Sequence, residues 1–128
     1  MTPNELQART KDFALRCLKV AEALPHSVTG RTIAGQLARA ATSVAANYRA
    51  ACRARSKAEF IAKIGIVEEE ADETAFWLDL AVDAKAVAAT KLTELLREAD
   101  ELVRIVAASH ISATRRRANQ QSAFSNQQ

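Results

Sequence analysis

The amino-acid sequence predicts an all-α protein, an antiparallel up-down-up-down four-helix bundle, and three observations lead there. The 128 residues include three glycines and two prolines, so few positions interrupt a helix. Apolar residues recur at the three- and four-residue spacing of a helix that faces a core, with little of the alternation typical of strands. Connections between these segments are short, which makes successive helices antiparallel. A chain of this length predicts one domain with a single modest core.

Helix one is predicted to begin after Thr2. Thr2 and Glu5 have the spacing of a capping box, and Pro3 occupies the first helical position. Pro25 ends the helix, because proline cannot continue it. The predicted core positions are Leu6, Phe13, Cys17, Val20 and Leu24.

Helix two is predicted from about Arg31 to Arg53, after a linker that runs from Pro25 to Gly30. Small side chains on its inner face would let a neighbouring helix approach closely. Asn47 borders that face, and we expect its amide to bond to backbone or to a carboxylate and to fix the register of the helices. The predicted core positions are Ile33, Leu37, Ala40, Ala41, Val44, Tyr48 and Ala51.

Helices three and four follow from two further caps. Ser56 and Glu59 repeat the capping-box spacing, so helix three is predicted to start there and to reach about Ala84. Thr90 is the expected cap of helix four, which continues toward Arg117. The predicted core positions are Phe60, Ile64, Val67, Ala71, Thr74, Leu78 and Ala81 in helix three, and Leu92, Leu95, Leu96, Ala99, Leu102, Val103 and Val106 in helix four.

The last residues differ in composition from the rest of the chain. Residues 119–128 are mostly asparagine, glutamine and serine with one phenylalanine, a composition typical of unfolded chain. We therefore expect a four-helix bundle over residues 1–118 and a flexible polar tail over residues 119–128.

Helices two and three carry opposite charge. Residues 31–57 hold six cations and no acid, whereas residues 58–83 hold eight acids and one lysine. Antiparallel neighbours of opposite sign are expected to be held together by ion pairs. The predicted pairs join Arg39 or Arg49 to Glu69, Glu70 or Glu73.

One stripe of helix three mixes carboxylates with large apolar groups: Ile66, Glu70, Glu73, Trp77 and Leu80. Glutamates in a core are costly unless they are paired, and tryptophan is unexpected on a solvated face. Either the pairs lie inside one subunit, or they form a subunit interface together with Trp77. The interface is favoured, because tryptophan and arginine are enriched at interfaces.

The sequence carries no signature of catalysis. A di-metal site in a bundle uses Glu-x-x-His pairs from facing helices, and neither His26 nor His110 lies three residues after a glutamate. There is no Gly-rich phosphate loop, nucleophile motif or cofactor fingerprint. We expect no enzyme activity, catalytic residue, metal, cofactor or small-molecule substrate.

The sequence also indicates the cellular compartment of the protein. Cys17 and Cys52 lie inside predicted helices, which argues against a disulfide framework and for a reducing cytoplasm. The first residues lack an apolar signal core, and no apolar run approaches the ~18–20 residues of a membrane span. We expect a cytoplasmic protein without a membrane partner.

A string within residues 36–60 resembles a known signature. It consists of Gln36, Leu37, Arg39, Ala40, Ala41, Ser43, Val44, Asn47, Tyr48, Arg53, Ser56, Glu59 and Phe60, and continues through Glu69, Glu73, Thr74 and Leu78. It resembles the four-helix-bundle family of proteins encoded by intervening sequences in bacterial 23S ribosomal RNA genes. It is also similar to the accessory variability determinant of diversity-generating retroelements. The resemblance implies a homo-oligomer, typically a pentamer, and an association with nucleic acid.

The chain departs from that family at the turn between helices two and three. Family members usually carry a Glu-Gly pair there, where this chain has the run from Arg49 to Cys52. The missing glycine argues against a left-handed helix cap at this turn but leaves the predicted fold unchanged.

Basic residues supply the functional hypothesis. The net charge is +3, and arginines cluster near two helix ends, at Arg53 and Arg55 and at Arg115, Arg116 and Arg117. Helices two and four run parallel in the predicted bundle, so these arginines are expected at the same end of each subunit. The alternative explanation for the arginines after helix four is structural: cations at a helix C-terminus are stabilised by the negative end of the helix dipole.

We therefore expect a non-enzymatic oligomer that binds RNA or DNA without sequence preference, or serves as an adaptor for a nucleic-acid enzyme. Because the chain has six aromatic residues, most of them at core positions, such binding would be electrostatic. The alternative is a structural or protein-interaction module with no nucleic-acid role.

Overall fold

The computed structural model describes residues 1–126, and within that range the chain forms four α-helices. They are α1 (Pro3–Ala23), α2 (Val28–Cys52), α3 (Lys57–Asp83) and α4 (Ala89–Asn126). Each helix packs against the next one along the chain, and α4 returns to touch α1 over a short stretch. The predicted all-α, up-down-up-down four-helix bundle is confirmed.

The predicted apolar stripes form the core. All seven predicted positions of α2 are buried, and in α3 six of the seven are buried while Phe60 is half-buried. Thr10 and Thr74 are buried as well, and each hydroxyl donates to a carbonyl of its own helix, Thr10 to Leu6 at 3.0 Å and Thr74 to Glu70 at 2.7 Å. Their polarity is therefore satisfied without a neighbouring helix.

Two of the predicted caps hold and one does not. At α1 the Glu5 N–H donates to Thr2 Oγ1 at 3.1 Å and the Thr2 N–H donates to Glu5 Oε2 at 3.2 Å, which completes the capping box. At α3 Ser56 accepts from the Glu59 N–H at 3.1 Å, but the Glu59 carboxylate faces Arg55. Thr90 lies inside the first turn of α4, because that helix already begins at Ala89.

Helix α2 begins three residues earlier than predicted. Ser27 is its cap and accepts a hydrogen bond from the Gly30 N–H at 3.0 Å. Gly30, expected in a linker, is buried in the first helical turn, where an added Cβ would lie 1.8 Å from the carbonyl oxygen of Pro25. This glycine therefore allows the linker backbone to pack against the helix.

The turn from α3 to α4 is closed by backbone hydrogen bonds. The Ala86 N–H donates to the Ala81 carbonyl at 2.9 Å, and the Lys85 N–H donates to the Val82 carbonyl at 2.9 Å. This is the Schellman arrangement, in which the residue after the cap adopts a left-handed conformation. Lys85 occupies that position with φ 59°, where glycine would be the unstrained residue.

Helix α4 continues beyond the boundary predicted at residue 118. It remains helical to Asn126, so the residues 119–126 of the expected flexible tail are part of the helix, and 127–128 lie outside the described residues. The segment contains no glycine or proline, and its alanine and glutamine residues favour helix. Gln120 also accepts a hydrogen bond from Lys57 at the start of α3. Composition alone did not reveal this contact.

Neither cysteine of the chain forms a disulfide within the described residues. Cys17 and Cys52 are both free thiols, and burial raises the pKa of Cys17 to about 12. Over residues 1–126, no helix is long and apolar enough to cross a membrane.

Candidate nucleic-acid interface

Arg39 joins α2 to α3 within one chain. Its Nη1 donates to Glu70 Oε2 at 2.9 Å, and its Nη2 donates to Glu73. Trp77 Nε1 donates to the same Glu73 carboxylate at 3.2 Å. The hydrogen bond from Arg39, followed by the one from Trp77, lowers the pKa of Glu73. The ion pairs predicted for Arg39 therefore form within one chain.

Other predicted partners stay apart. Arg49 lies with Arg53 along a groove between α1 and α2, away from the acids of α3. Glu69 is exposed on α3 and makes no ion pair within the described residues. The Asn47 amide does bond to backbone, as expected: it donates to the Ser43 carbonyl at 3.0 Å and to the Ser43 hydroxyl at 2.9 Å, both within its own helix.

A second arginine joins helices that are far apart in sequence. Arg9 on α1 donates twice to Glu98 on α4, from Nε at 2.8 Å and from Nη2 at 2.6 Å, and it lies 3.0 Å from Glu101. The hydrogen bond to Glu98 raises the pKa of Arg9. No local pattern predicts this contact, because its partners are 89 residues apart.

A histidine also links α3 to α4. His110 Nδ1 lies 2.6 Å from Glu68 Oε2, and its ring covers Gly65, where an added Cβ would come within 3.5 Å of the imidazole. That distance is ordinary van der Waals contact, so the ring packs over Gly65 without requiring a glycine there. Within residues 1–126, no three or more histidine, cysteine, aspartate or glutamate side chains come together as metal ligands would.

The end of the bundle at which α2 gives way to α3, together with the neighbouring part of α4, is here called the basic end. A pocket of about 410 Å³ opens there and is lined by Arg55, Ser56, Lys57 and Arg116. No acidic side chain is among its lining residues, although Glu59 lies 3.9 Å from Arg55 Nε. The structure thus places three cations from the turn, α3 and α4 around one pocket.

The five arginines predicted for this surface do not all converge. Arg55 and Arg116 share the pocket just described, and Arg117 lines an adjoining one with Lys57. Arg115 lies on another face of α4, and Arg53 lies in the α1–α2 groove. Lys57 was not among the predicted residues, although its place one residue after the Ser56 cap puts it at the same end as Arg55.

A second, more apolar pocket adjoins the first. It measures about 510 Å³ and lies between the start of α1, the end of α2, the start of α3 and α4. Ala54 and Phe60 line both pockets, so the two lie side by side. Burial, and then the neighbouring Cys52 thiol, raise the pKa of the Tyr48 hydroxyl, so it keeps its proton at neutral pH. The main lining residues of this second pocket are Leu6, Tyr48, Cys52, Phe60, Ile105 and Ser109.

The helices and their sequence agree with a known family. The family described as 23S rRNA-intervening sequence protein matches residues 4–108. The chain belongs to this family. The match includes the α2–α3 turn but ends before Arg115, so Arg115, Arg116 and Arg117 lie outside the matched range.

The fold is also similar to a solved structure from Bacteroides thetaiotaomicron VPI-5482, a protein with unknown function from the S23 ribosomal protein family. The two are 26% identical with a TM-score of 0.78, and the similarity covers 86% of this chain and 98% of the other. No curated protein matches the chain. Neither the family description nor that of the solved structure names an enzymatic activity.

Proposed function

We propose that this protein binds RNA or DNA through its basic end and has little sequence preference. The observation that carries the proposal is the pocket lined by Arg55, Lys57 and Arg116, whose lining includes no carboxylate. The family is named for intervening sequences of the 23S rRNA, a setting in keeping with a nucleic-acid partner. The site of action that we propose is the cytoplasm.

The chemistry of these side chains suits phosphate. Arginine presents a planar fork of donors that matches two phosphate oxygens, and lysine adds a mobile point charge. The N-terminus of α3, a helix of 27 residues, lies at the same pocket and contributes the positive end of its dipole. Because such contacts release counterions, binding should weaken steeply as salt rises.

We further propose that the protein is a homo-oligomer, and from the family resemblance a pentamer. What supports this is an apolar surface on α3, where Phe76 is 49% exposed, stacks on Trp77 with ring centroids 5.0 Å apart, and shares the helix with Ile66, 38% exposed. Repetition of the basic end around a ring would strengthen individually weak phosphate contacts. A nucleic-acid enzyme could use the same surface, with the protein as its adaptor.

The test is the salt dependence of binding, measured by fluorescence anisotropy with a labelled RNA and a labelled DNA from ~50 mM salt upward. The variant carries Arg55→Gln, Arg116→Gln and Arg117→Gln. We expect weaker binding and a salt slope shallower by about one per arginine removed. The matched control carries Arg31→Gln, Arg97→Gln and Arg104→Gln, which removes the same charge from exposed positions elsewhere.

The outcomes separate the two classes of function. Equal losses in both triple variants would mean that net charge, rather than the basic end, governs binding. Failure of the unmodified protein to retain either nucleic acid at ~50 mM salt would favour the interaction module that lacks a nucleic-acid role. Light scattering over a dilution series tests the oligomer separately, and a monomeric mass throughout would reject it.

A further inference from the structure

We infer that the apolar pocket at the basic end takes one unstacked nucleobase of a bound strand, so that the protein prefers single-stranded nucleic acid to a duplex. The inference rests on the proposed function, because it requires the phosphates to lie on the adjoining cations. It adds the form of nucleic acid that the site selects.

The two pockets lie side by side. Phe60 and Ala54 line both, so a group in the apolar pocket would lie close to a group that contacts Arg55 and Lys57. A nucleotide has this layout, with a flat base joined through a sugar to a phosphate. The cations therefore specify a ligand whose apolar part carries a negative charge close by.

The walls of the pocket suit a base. Its volume of about 510 Å³ falls within the range of small-ligand sites, ~300–1,000 Å³. Phe60, which is half-buried, supplies the accessible aromatic surface, since Tyr48 is only 5% exposed, and bases of unpaired strands commonly rest on aromatic side chains. Ser109 and Cys52 add weakly polar groups at which the polar edge of a base can find partners.

A duplex lacks such a base. Its bases are stacked and paired, and extruding one has a free-energy cost that a single strand avoids. The pocket lining includes no asparagine, glutamine, aspartate or arginine, the side chains that read base edges by paired hydrogen bonds. We therefore expect a preference for single strands without a preference for sequence.

The first experiment compares a labelled single strand of about 16 nucleotides with the blunt duplex of the same sequence, by anisotropy at ~100 mM salt. We expect the single strand to bind about five-fold or more tightly, although the duplex carries more phosphates. Ser109→Phe fills the pocket and should lower single-strand affinity to that of the duplex, with the salt slope unchanged. Ser122→Phe makes the same replacement at an exposed position of α4 and should change neither.

The second experiment uses the unmodified protein and therefore does not depend on whether a variant folds. Cys52 is half-buried and lines the pocket, whereas Cys17 is fully buried and serves as an internal control for unfolding. Alkylation by iodoacetamide is followed by mass spectrometry with each nucleic acid at saturation. We expect the single strand to abolish most of the Cys52 alkylation and the duplex to leave it.

The results distinguish this inference from the proposed function. Salt-sensitive binding with equal single-strand and duplex affinity, or with Cys52 equally reactive in both complexes, would overturn the base pocket and leave the basic end standing. Loss of all binding at ~50 mM salt would overturn both. Single-strand preference that survives Ser109→Phe in a folded protein would place the base elsewhere and also reject the pocket.

Discussion

Where α1 passes into α2 and α3 into α4, backbone meets backbone: Gly30 packs on the Pro25 carbonyl, and the turn at Lys85 is closed by main-chain hydrogen bonds. We call this the closed end. At the basic end, by contrast, two pockets of about 410 and 510 Å³ open between the helices, and Arg55 is 92% exposed. At the closed end the residues mainly connect the helices. At the basic end, cationic side chains and the apolar linings of the two pockets face solvent.

Charges along the middle of the bundle clarify the contrast. Arg9 and Arg39 each form ion pairs with carboxylates on a neighbouring helix, so their charges help to hold the helices together. Lys57 and Arg116 line a pocket with no carboxylate. The cations at mid-height thus pair with carboxylates of a neighbouring helix, whereas at the basic pocket Arg55 lies 3.9 Å from Glu59 and Lys57 donates to the neutral Gln120. A pocket in which cations outnumber nearby carboxylates is the pattern expected of a surface that receives an external anion.

The largest expected effect is that of Gly30→Ala at the closed end. The new methyl would lie 1.8 Å from the Pro25 carbonyl oxygen, a backbone atom that moves only with the linker. We expect a loss of about 1–3 kcal/mol in the free energy of unfolding, measured by urea denaturation. The matched control is Gly35→Ala in the same helix, where an added Cβ has nothing within 4 Å.

Gly35→Ala should have the opposite sign. Alanine in a helix interior is favoured over glycine by about 1 kcal/mol, so this variant should be more stable than the unmodified protein. If the two substitutions change stability by the same amount, the contact between the linker and α2 does not restrain the closed end.

The periodic pattern of apolar residues predicted the bundle, because each helix buries one continuous face. Ile33 to Ala51 in α2 met that rule at every predicted position. Capping signals gave the starts of α1 and α3 for the same local reason. They failed at Ser27, because Gly30 suggested a linker and the Pro25 contact that explains this glycine is visible only in three dimensions.

The candidate site was predictable in part. Parallel directions of α2 and α4 brought Arg55 and Arg116 to one end, as expected from topology. The direction in which each side chain points decided the rest: Arg115 is next to Arg116 in sequence but lies on another face of α4. The apolar pocket draws walls from four helices, and contacts such as that of Arg9 with Glu98 join residues that share no local pattern.

The next effect concerns Lys85, the left-handed residue of the closed end. A side chain with φ near +60° is strained by about 1–2 kcal/mol, whereas glycine adopts this conformation freely but has more freedom in the unfolded chain. Lys85→Gly should raise the free energy of unfolding by about 0.5–1 kcal/mol, measured by urea denaturation. Lys91→Gly, inside α4, should destabilise instead, and a gain at both positions would contradict the strain argument.

A smaller effect is expected on the pH dependence of stability, because the ion pair between Arg39 and Glu73 weakens when the carboxylate is protonated in acid. Glu73 has its pKa lowered below its ordinary value of 4.5, chiefly by the hydrogen bond from Arg39. Its contribution to stability is therefore complete above about pH 4.5 and is lost as the pH falls through the lower folded value. Arg39→Gln should be less stable than the unmodified protein at neutral pH, and the difference should shrink below that pH. Because Arg39 is 47% exposed, we expect a modest difference that salt reduces.

The control for this pH dependence is Glu69→Gln, which changes an exposed carboxylate of the same helix. Glu69 makes no ion pair within the described residues, so its removal should leave the pH profile of stability unchanged. A difference between Arg39→Gln and the unmodified protein that stays constant from neutral to acidic pH would show that Arg39 acts through packing rather than charge.

The smallest effect on stability is expected from substitutions at the basic end, where the same substitutions should weaken nucleic-acid binding. Arg55→Gln, Arg116→Gln and Arg117→Gln together should leave the urea midpoint unchanged, because Arg55 and Arg116 are exposed, Arg117 is half-buried, and none of them joins two helices by an ion pair within the described residues. Arg9→Gln removes a single cation whose partner Glu98 is only 16% exposed, and should cost about 1 kcal/mol. A triple variant that loses as much stability as Arg9→Gln would mean that the cations of the basic end hold the bundle together. Unchanged stability with a shallower salt slope for nucleic-acid binding would separate the two ends by function as well as by structure.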